Sequence, residues 1–272
     1  TVHVTRMVGQ GFVGFAMVLG DFGVDRDCCG RGGDYRGYSA GLSFARAGNL
    51  LLSFAATDRI VHEILDEALM STPRNILTWE DYTAALKAGN VSQAEQELVT
   101  ACKEGREAVL GDGTRPDGPS DERNIGADLL RYLITGGCVE CDLHDWGVQL
   151  RGAYVSDRLD LSFAKAVGIT KLRASTFAEP IEALQCSFEF LNLSGSSCAG
   201  LNAQGVTVKG SAFLSNGFVA RGRVSLSSAT IGGALNCTKG VFENSEGKAF
   251  NAQKCRVNAL IWRGITRVEG SV

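Results

Sequence analysis

Cys186-Ser-Phe188 followed by Phe190-Leu-Asn-Leu193 places two short runs of alternating apolar and polar residues back to back. Alternation marks a half-buried strand, because successive side chains leave a strand on opposite faces. The same pair of runs recurs on either side. Ala153-Tyr-Val155 precedes Arg158-Leu-Asp-Leu161, Phe218-Val219 precedes Arg223-Val-Ser-Leu226, and Ala229-Thr-Ile231 precedes Ala234-Leu-Asn-Cys237. The first apolar marks fall at 155, 167, 177, 188, 198, 208, 219, 231 and 242, in steps of 10 to 12. Two steps make a coil of about 22 residues, and a coil that short cannot bury its own apolar side. Neighbouring coils must therefore stack on a continuous core.

The expected fold is mainly β: a right-handed parallel β-helix with a small α-helical N-terminal cap. The inward residues (Ala, Cys, Ser, Val, Leu) suit a narrow interior. Gly152, Gly195, Gly200, Gly210, Gly222, Gly232 and Gly233 suit corners that a side chain would obstruct. Residues 243–249 break the period by about four and are expected to bulge outward as a corner loop.

Composition agrees with an ordered, corner-rich chain: 34 Gly against 4 Pro in 272 residues. Charge is nearly balanced, with 27 Lys+Arg and 30 Asp+Glu, which argues against a dedicated nucleic-acid binder. Nine Cys, an odd number, stand beside no convincing secretory signal. That points to reduced thiols and a cytoplasmic protein. No apolar run is long enough to predict a transmembrane helix.

Three segments follow. Residues 1–69 hold 11 Gly and 6 Arg but no Lys or Pro. Their apolar residues keep no sustained period outside Asp58–Leu69. Met70-Ser-Thr-Pro-Arg74 resembles a protein start, so 1–69 are expected to be sequence upstream of the native initiator. Residues 70–137 read as a helical cap in which acids outnumber bases. Thr78-Trp-Glu-Asp81 and Ser92-Gln-Ala-Glu95 are capping boxes, with Leu77 and Tyr82 placed as a hydrophobic staple on the first. Gly89 and Gly105 are the stops. A third helix is expected from about Asp121 to Thr135, with Ile125, Leu129, Leu130 and Leu133 on its apolar face. Residues 138–272 are the β-helix. Val268-Glu-Gly-Ser-Val272 reads as the start of a further coil, so the last coil is expected to be continued by more chain or capped by a partner.

Gly147-Val-Gln-Leu-Arg-Gly-Ala-Tyr-Val-Ser-Asp-Arg-Leu-Asp-Leu161, Leu191-Asn-Leu-Ser-Gly195 and Ala229-Thr-Ile-Gly-Gly-Ala-Leu235, led in by Ile125-Gly-Ala-Asp-Leu-Leu-Arg131, resemble bacterial repeat proteins of pentapeptide-repeat-like style. These are often labelled hypothetical or "membrane-associated oxidoreductase". The resemblance covers roughly 120–272. It implies a solenoid and brings no catalytic residue to carry over.

Two constellations could carry chemistry. Gly9-Gln-Gly-Phe-Val-Gly14 matches a dinucleotide fingerprint through Gly9, Gly11 and Gly14, with Val2–Val8 as the preceding strand and Asp25 or Asp27 as the ribose acid. The spacing leaves hardly any room for the second strand, and no βαβ units follow. Cys138-Val-Glu-Cys141 with His144 has zinc-like spacing but no fourth ligand nearby; the alternatives are a redox dithiol or a Gly-rich turn with one Cys packed inward. Cys186, Cys198, Cys237 and Cys255 are expected in a stacked core column. Asp157 and Asp160 are expected on one strand facing solvent, where a carboxylate pair could do acid–base work.

No catalytic residue, cofactor or metal site is therefore expected. The predicted function is a non-enzymatic scaffold for protein–protein or self-association, with a homo-oligomer as one form. An enzyme (an oxidoreductase or a carbohydrate-active β-helix) is one alternative. A topoisomerase-binding DNA mimic is the other, and it fits poorly because residues 141–272 carry 14 basic against 10 acidic residues.

Overall fold

A computed structural model describes residues 4–9, 12–17, 74–137, 139–265 and 267–271. The chain divides into two units, Thr1–Asp66 and Glu67–Val272. In the first, Val4–Gly9 pairs antiparallel with Phe12–Met17, Gly9 opposite Phe12. Met70 and the expected native start lie outside the described residues.

The second unit is the parallel β-solenoid. Each coil has four short strands on four faces rather than two longer ones. The first face stacks Ala108–Val109, Gln149–Arg151, Ile169–Arg173, Phe190–Asn192, Ala212–Phe213, the end of Thr230–Asn236 and the end of Arg256–Ile261. The second stacks Tyr154–Val155, Thr176–Phe177, Ser197–Cys198, Val219–Ala220, Val241–Lys248 and Arg267–Ser271. The third holds Ile181–Glu182, Leu201–Asn202, Val224–Ser225 and Phe250–Asn251. The fourth starts at Ser187–Phe188 and Thr207–Val208 and continues through the beginnings of Thr230–Asn236 and Arg256–Ile261.

The 11-residue step is the distance between opposite faces. Val155, Phe177, Cys198 and Phe242 point inward from the second face, and Phe188, Val208 and Ile231 from the fourth. Two expected marks are one residue off. Ala166 and Ala220 are buried, whereas Val167 is 42% exposed and Val219 half-buried. Neither alanine stands out beside a larger valine in a hydrophobicity pattern, yet the register admits only the alanine inside.

Corners need left-handed backbone. Between the third and fourth faces, Phe163, Gln185, Gly205, Ser228 and Lys254 stack with φ near +50° to +65°. Only Gly205 adopts this without strain; the others cost roughly 1 kcal/mol each, held by ladders on both sides. Gly222 serves a different need: a Cβ there would lie 2.1 Å from Ala199 O of the coil below.

Residues 243–249 do insert extra chain, within a strand rather than between strands: Val241–Lys248 pairs with Arg267–Ser271 at Val241–Glu243 and at Lys248, with a register shift between Glu243 and Lys248 that takes up the added residues. Some interior positions are polar. The Ser175 hydroxyl accepts from Ala153 N–H, and the Ser196 hydroxyl accepts from Ser175 N–H and donates to Leu172 O. These hydroxyls supply partners where the ladder turns the corner.

Among the described residues the cap contains three helices. Helix α1 (Trp79–Lys87) and helix α2 (Gln93–Glu104) begin at the two expected capping boxes, and Gly105 ends α2 in the left-handed region. The staple differs: Leu77 is 64% exposed, and Ile76 is buried instead. Helix α3 (Ala127–Ile134) is shorter than expected. Asn124 bridges to Tyr154, Ile125 N–H donates to Tyr154 O, and Tyr154 N–H donates to Arg123 O. Residues 121–126 are thus held against the first full coil, and tertiary pairing overrides helical pattern. Ala108–Val109 likewise stacks on Gln149–Arg151, so the solenoid ladders reach back into the cap.

Candidate functional site

A polar cluster joins the segment that enters the cap to two of its helices. Arg74 donates from Nη1 to Glu95 Oε2 at 2.7 Å and from Nη2 to Asp128 Oδ1 at 2.8 Å. Glu95 is only 2% exposed; its Oε1 accepts Gly126 N–H at 2.8 Å and its Oε2 accepts Ser92 N–H at 2.9 Å. Burial acts to lower the Arg74 pKa, but the hydrogen bonds and charges of Glu95 and Asp128 outweigh it and raise the value. Each carboxylate also meets helix N-terminal N–H groups, so the cluster works as a structural clamp. Arg131, Asp157, Arg158 and Asp160 line a hollow of about 250 Å³ beside it.

A second hollow, of about 220 Å³, lies where the cap meets the first coil, lined by Cys102, Leu133, Leu143, His144, Asp145 and Val167 among others. Both are below the roughly 300–1,000 Å³ of sites that enclose a small molecule.

Sequence-predicted site residues are placed as follows. Gly9 ends the first strand of the N-terminal hairpin, Gly14 lies within the second opposite Met7, and Gly11 is outside the described residues. Cys138 is also outside them. Cys141 is buried with Sγ 3.1 Å from the Tyr132 hydroxyl, and exposed His144 accepts Trp146 N–H at Nδ1, 3.2 Å. Among the described residues no three His, Cys, Asp or Glu are grouped to hold a metal. Asp160 and Asp157 do not share a strand. Asp160 bridges to Glu182, and hydrogen bonds from the Ser162 hydroxyl and then its N–H lower the Asp160 pKa, while Asp157 sits on the preceding corner.

The core cysteines are inward but not in one column. Cys198 lies on the second face and Cys237 follows the first-face strand, while Cys186 and Cys255 flank the fourth. Burial pushes Cys198 and Cys237 up to about 12 and Cys186 to about 11. Thiolate, the reactive form, is therefore scarce. In native protein at pH 8, iodoacetamide should modify half-buried Cys255 first, with Cys186, Cys198 and Cys237 reacting only as the fold opens. Peptide mass mapping over a time course checks this; Cys198 labelling as fast as Cys255 would refute it.

One contact ties distant segments without a motif. Arg115 Nη1, in the loop before α3, donates to Gly195 O at 3.2 Å and Gly217 O at 2.9 Å, and Pro116 O accepts the Thr176 hydroxyl. The loop thus straps successive coils together. The capping box advertised Glu95, but no sequence signal reveals its partner Arg74 or the reach of Arg115.

No family model, curated protein or solved structure matches this chain. Its possible role rests on its own geometry. No helix among the described residues is long and apolar enough to cross a membrane.

Proposed function

We propose that the chain is a non-enzymatic repeat scaffold that associates, through the outer faces of its solenoid, with another protein chain or with itself. The observation that carries this is the outer strip of the first face. Ile169 and Phe190 are registered neighbours facing out, and Phe213 lies one coil further. The Phe190 and Phe213 rings touch, centroids 5.4 Å apart. Each of the three is half-exposed. Apolar and aromatic groups held rigidly on a flat face form the kind of surface that becomes an interface core. A rigid backbone loses little freedom on docking. The unpaired thiols Cys102, Cys186, Cys198, Cys237 and Cys255 accord with a reducing, cytoplasmic setting.

Sedimentation velocity on the purified chain tests the self-associating form. An oligomer is expected, and Phe190→Asp with Phe213→Asp should shift it to smaller species without changing far-UV circular dichroism. A monomer at every concentration, in wild type and variant alike, would sink that form.

A further inference from the structure

Charge is sorted along the solenoid. Residues 74–205 carry 19 acidic and 12 basic residues, whereas 206–272 carry 9 basic and only 3 acidic. A near-neutral total thus hides two oppositely charged halves. The basic residues of the distal part are Lys209, Arg221, Arg223, Lys239, Lys248, Lys254, Arg256, Arg263 and Arg267, every one of them exposed. Lys209 pairs with Glu189, and Arg267 with Glu243 and Glu269. Among the described residues the other seven have no ion pair. They project from several faces of the last coils and so form a collar. In the cap and its junction, Glu80, Asp117, Asp121, Glu122 and Asp142 are exposed acids without an ion pair among the described residues. Asp117, Asp121 and Glu122 fall within six residues of one another.

Unpaired like charges crowded at one end repel each other, and an oppositely charged surface relieves that cost. Within this molecule the intervening coils separate the two regions along the stack, so neither can neutralise the other. A second copy can. We propose that the chain associates head to tail, the cationic distal coils of one copy seating on the acidic cap of the next. This rests on the scaffold reading above, names a second copy as the partner, and adds an end-to-end contact to the one on the outer face. A heterologous contact of this kind does not close on itself, so it produces short open chains whose length grows with concentration.

The test is sedimentation velocity of the full chain across protein concentration, at low salt and at roughly half-molar salt, where screening is strong. The expected result is a concentration-dependent ladder of species at low salt, with an apparent dissociation constant weakened about tenfold or more at high salt. One variant carries Arg221→Glu, Arg223→Glu and Arg256→Glu; a second carries Asp117→Lys, Asp121→Lys and Glu122→Lys. Each alone should lose the concentration-dependent ladder, and a one-to-one mixture should regain it, because each supplies the surface the other lacks. All six positions are exposed, and circular dichroism checks the fold. Should either variant fail to fold, the wild-type salt dependence decides. A monomer at every salt concentration overturns the proposal, as does a mixture that stays monomeric. Association indifferent to salt but lost with Phe190→Asp and Phe213→Asp overturns it too, while leaving the face-docking reading intact. A monomer that floats with phosphatidylglycerol vesicles but never self-associates assigns the collar to a membrane and also overturns it.

Discussion

Phe242→Ala is expected to destabilise the distal solenoid by about 3–5 kcal/mol. Phe242 is fully buried and sits at the centre of an aromatic cluster. Its ring stacks on Trp262 at 5.3 Å and meets Phe250 at 5.2 Å and Phe218 at 6.0 Å. In its column the two coils directly before it offer only Cys198 and Ala220. Phe242 lies in the coil that contains the inserted residues, so a large ring fills the interior there. Parallel ladders fix the walls on all sides, and the cavity left by alanine cannot collapse. Coils in a repeat stack are stabilised chiefly by their neighbours. The damage should therefore be local: hydrogen-exchange protection should fall in 241–261 and persist in 169–202. Equal loss in both stretches, or no loss in either, would count against this account.

Arg74→Leu is expected to cost about 3 kcal/mol, the lower end for removing one partner of a buried ion pair. Arg74 is 25% exposed, but Glu95 is 2% exposed and would retain its charge with only two backbone donors. Asp128 also loses its guanidinium, though it keeps Ile76 N–H and Leu129 N–H. Adding Glu95→Gln should recover part of the loss, since an amide avoids the buried charge, although its single oxygen keeps only one of the two N–H groups that the carboxylate oxygens accept separately. Urea denaturation of the single and double variants measures both effects. A single-variant loss under about 1 kcal/mol would place the clamp among ordinary surface pairs.

Much of this architecture was legible in the chain. The 11-residue spacing of apolar marks located the solenoid, because inward positions on opposite faces must recur at half a coil. The capping boxes Thr78–Asp81 and Ser92–Glu95 located α1 and α2, because capping depends on residues three apart. The errors have a common cause. Val167 and Val219 outrank Ala166 and Ala220 in hydrophobicity, yet register alone decides which of two adjacent residues faces in. Residues 121–126 carry an amphipathic pattern, yet Tyr154 claims their backbone groups. The stretch 243–249 is polar and breaks the period, which reads as a loop; a neighbouring coil pairs with Glu243 and Lys248 at its two sides, and the residues between them take up the register shift.

By itself the sequence determined that residues beyond about 146 would stack as repeated coils, since no single coil has enough apolar surface to stand alone. It also determined where two of the cap helices begin. Only the tertiary structure decided that each coil has four faces, that Arg74 neutralises Glu95, that Arg115 straps two coils, and that Phe190 meets Phe213 on an outer face. Each of these joins residues roughly 20 or more positions apart, and such contacts follow from how the coils are closed and stacked rather than from any local pattern.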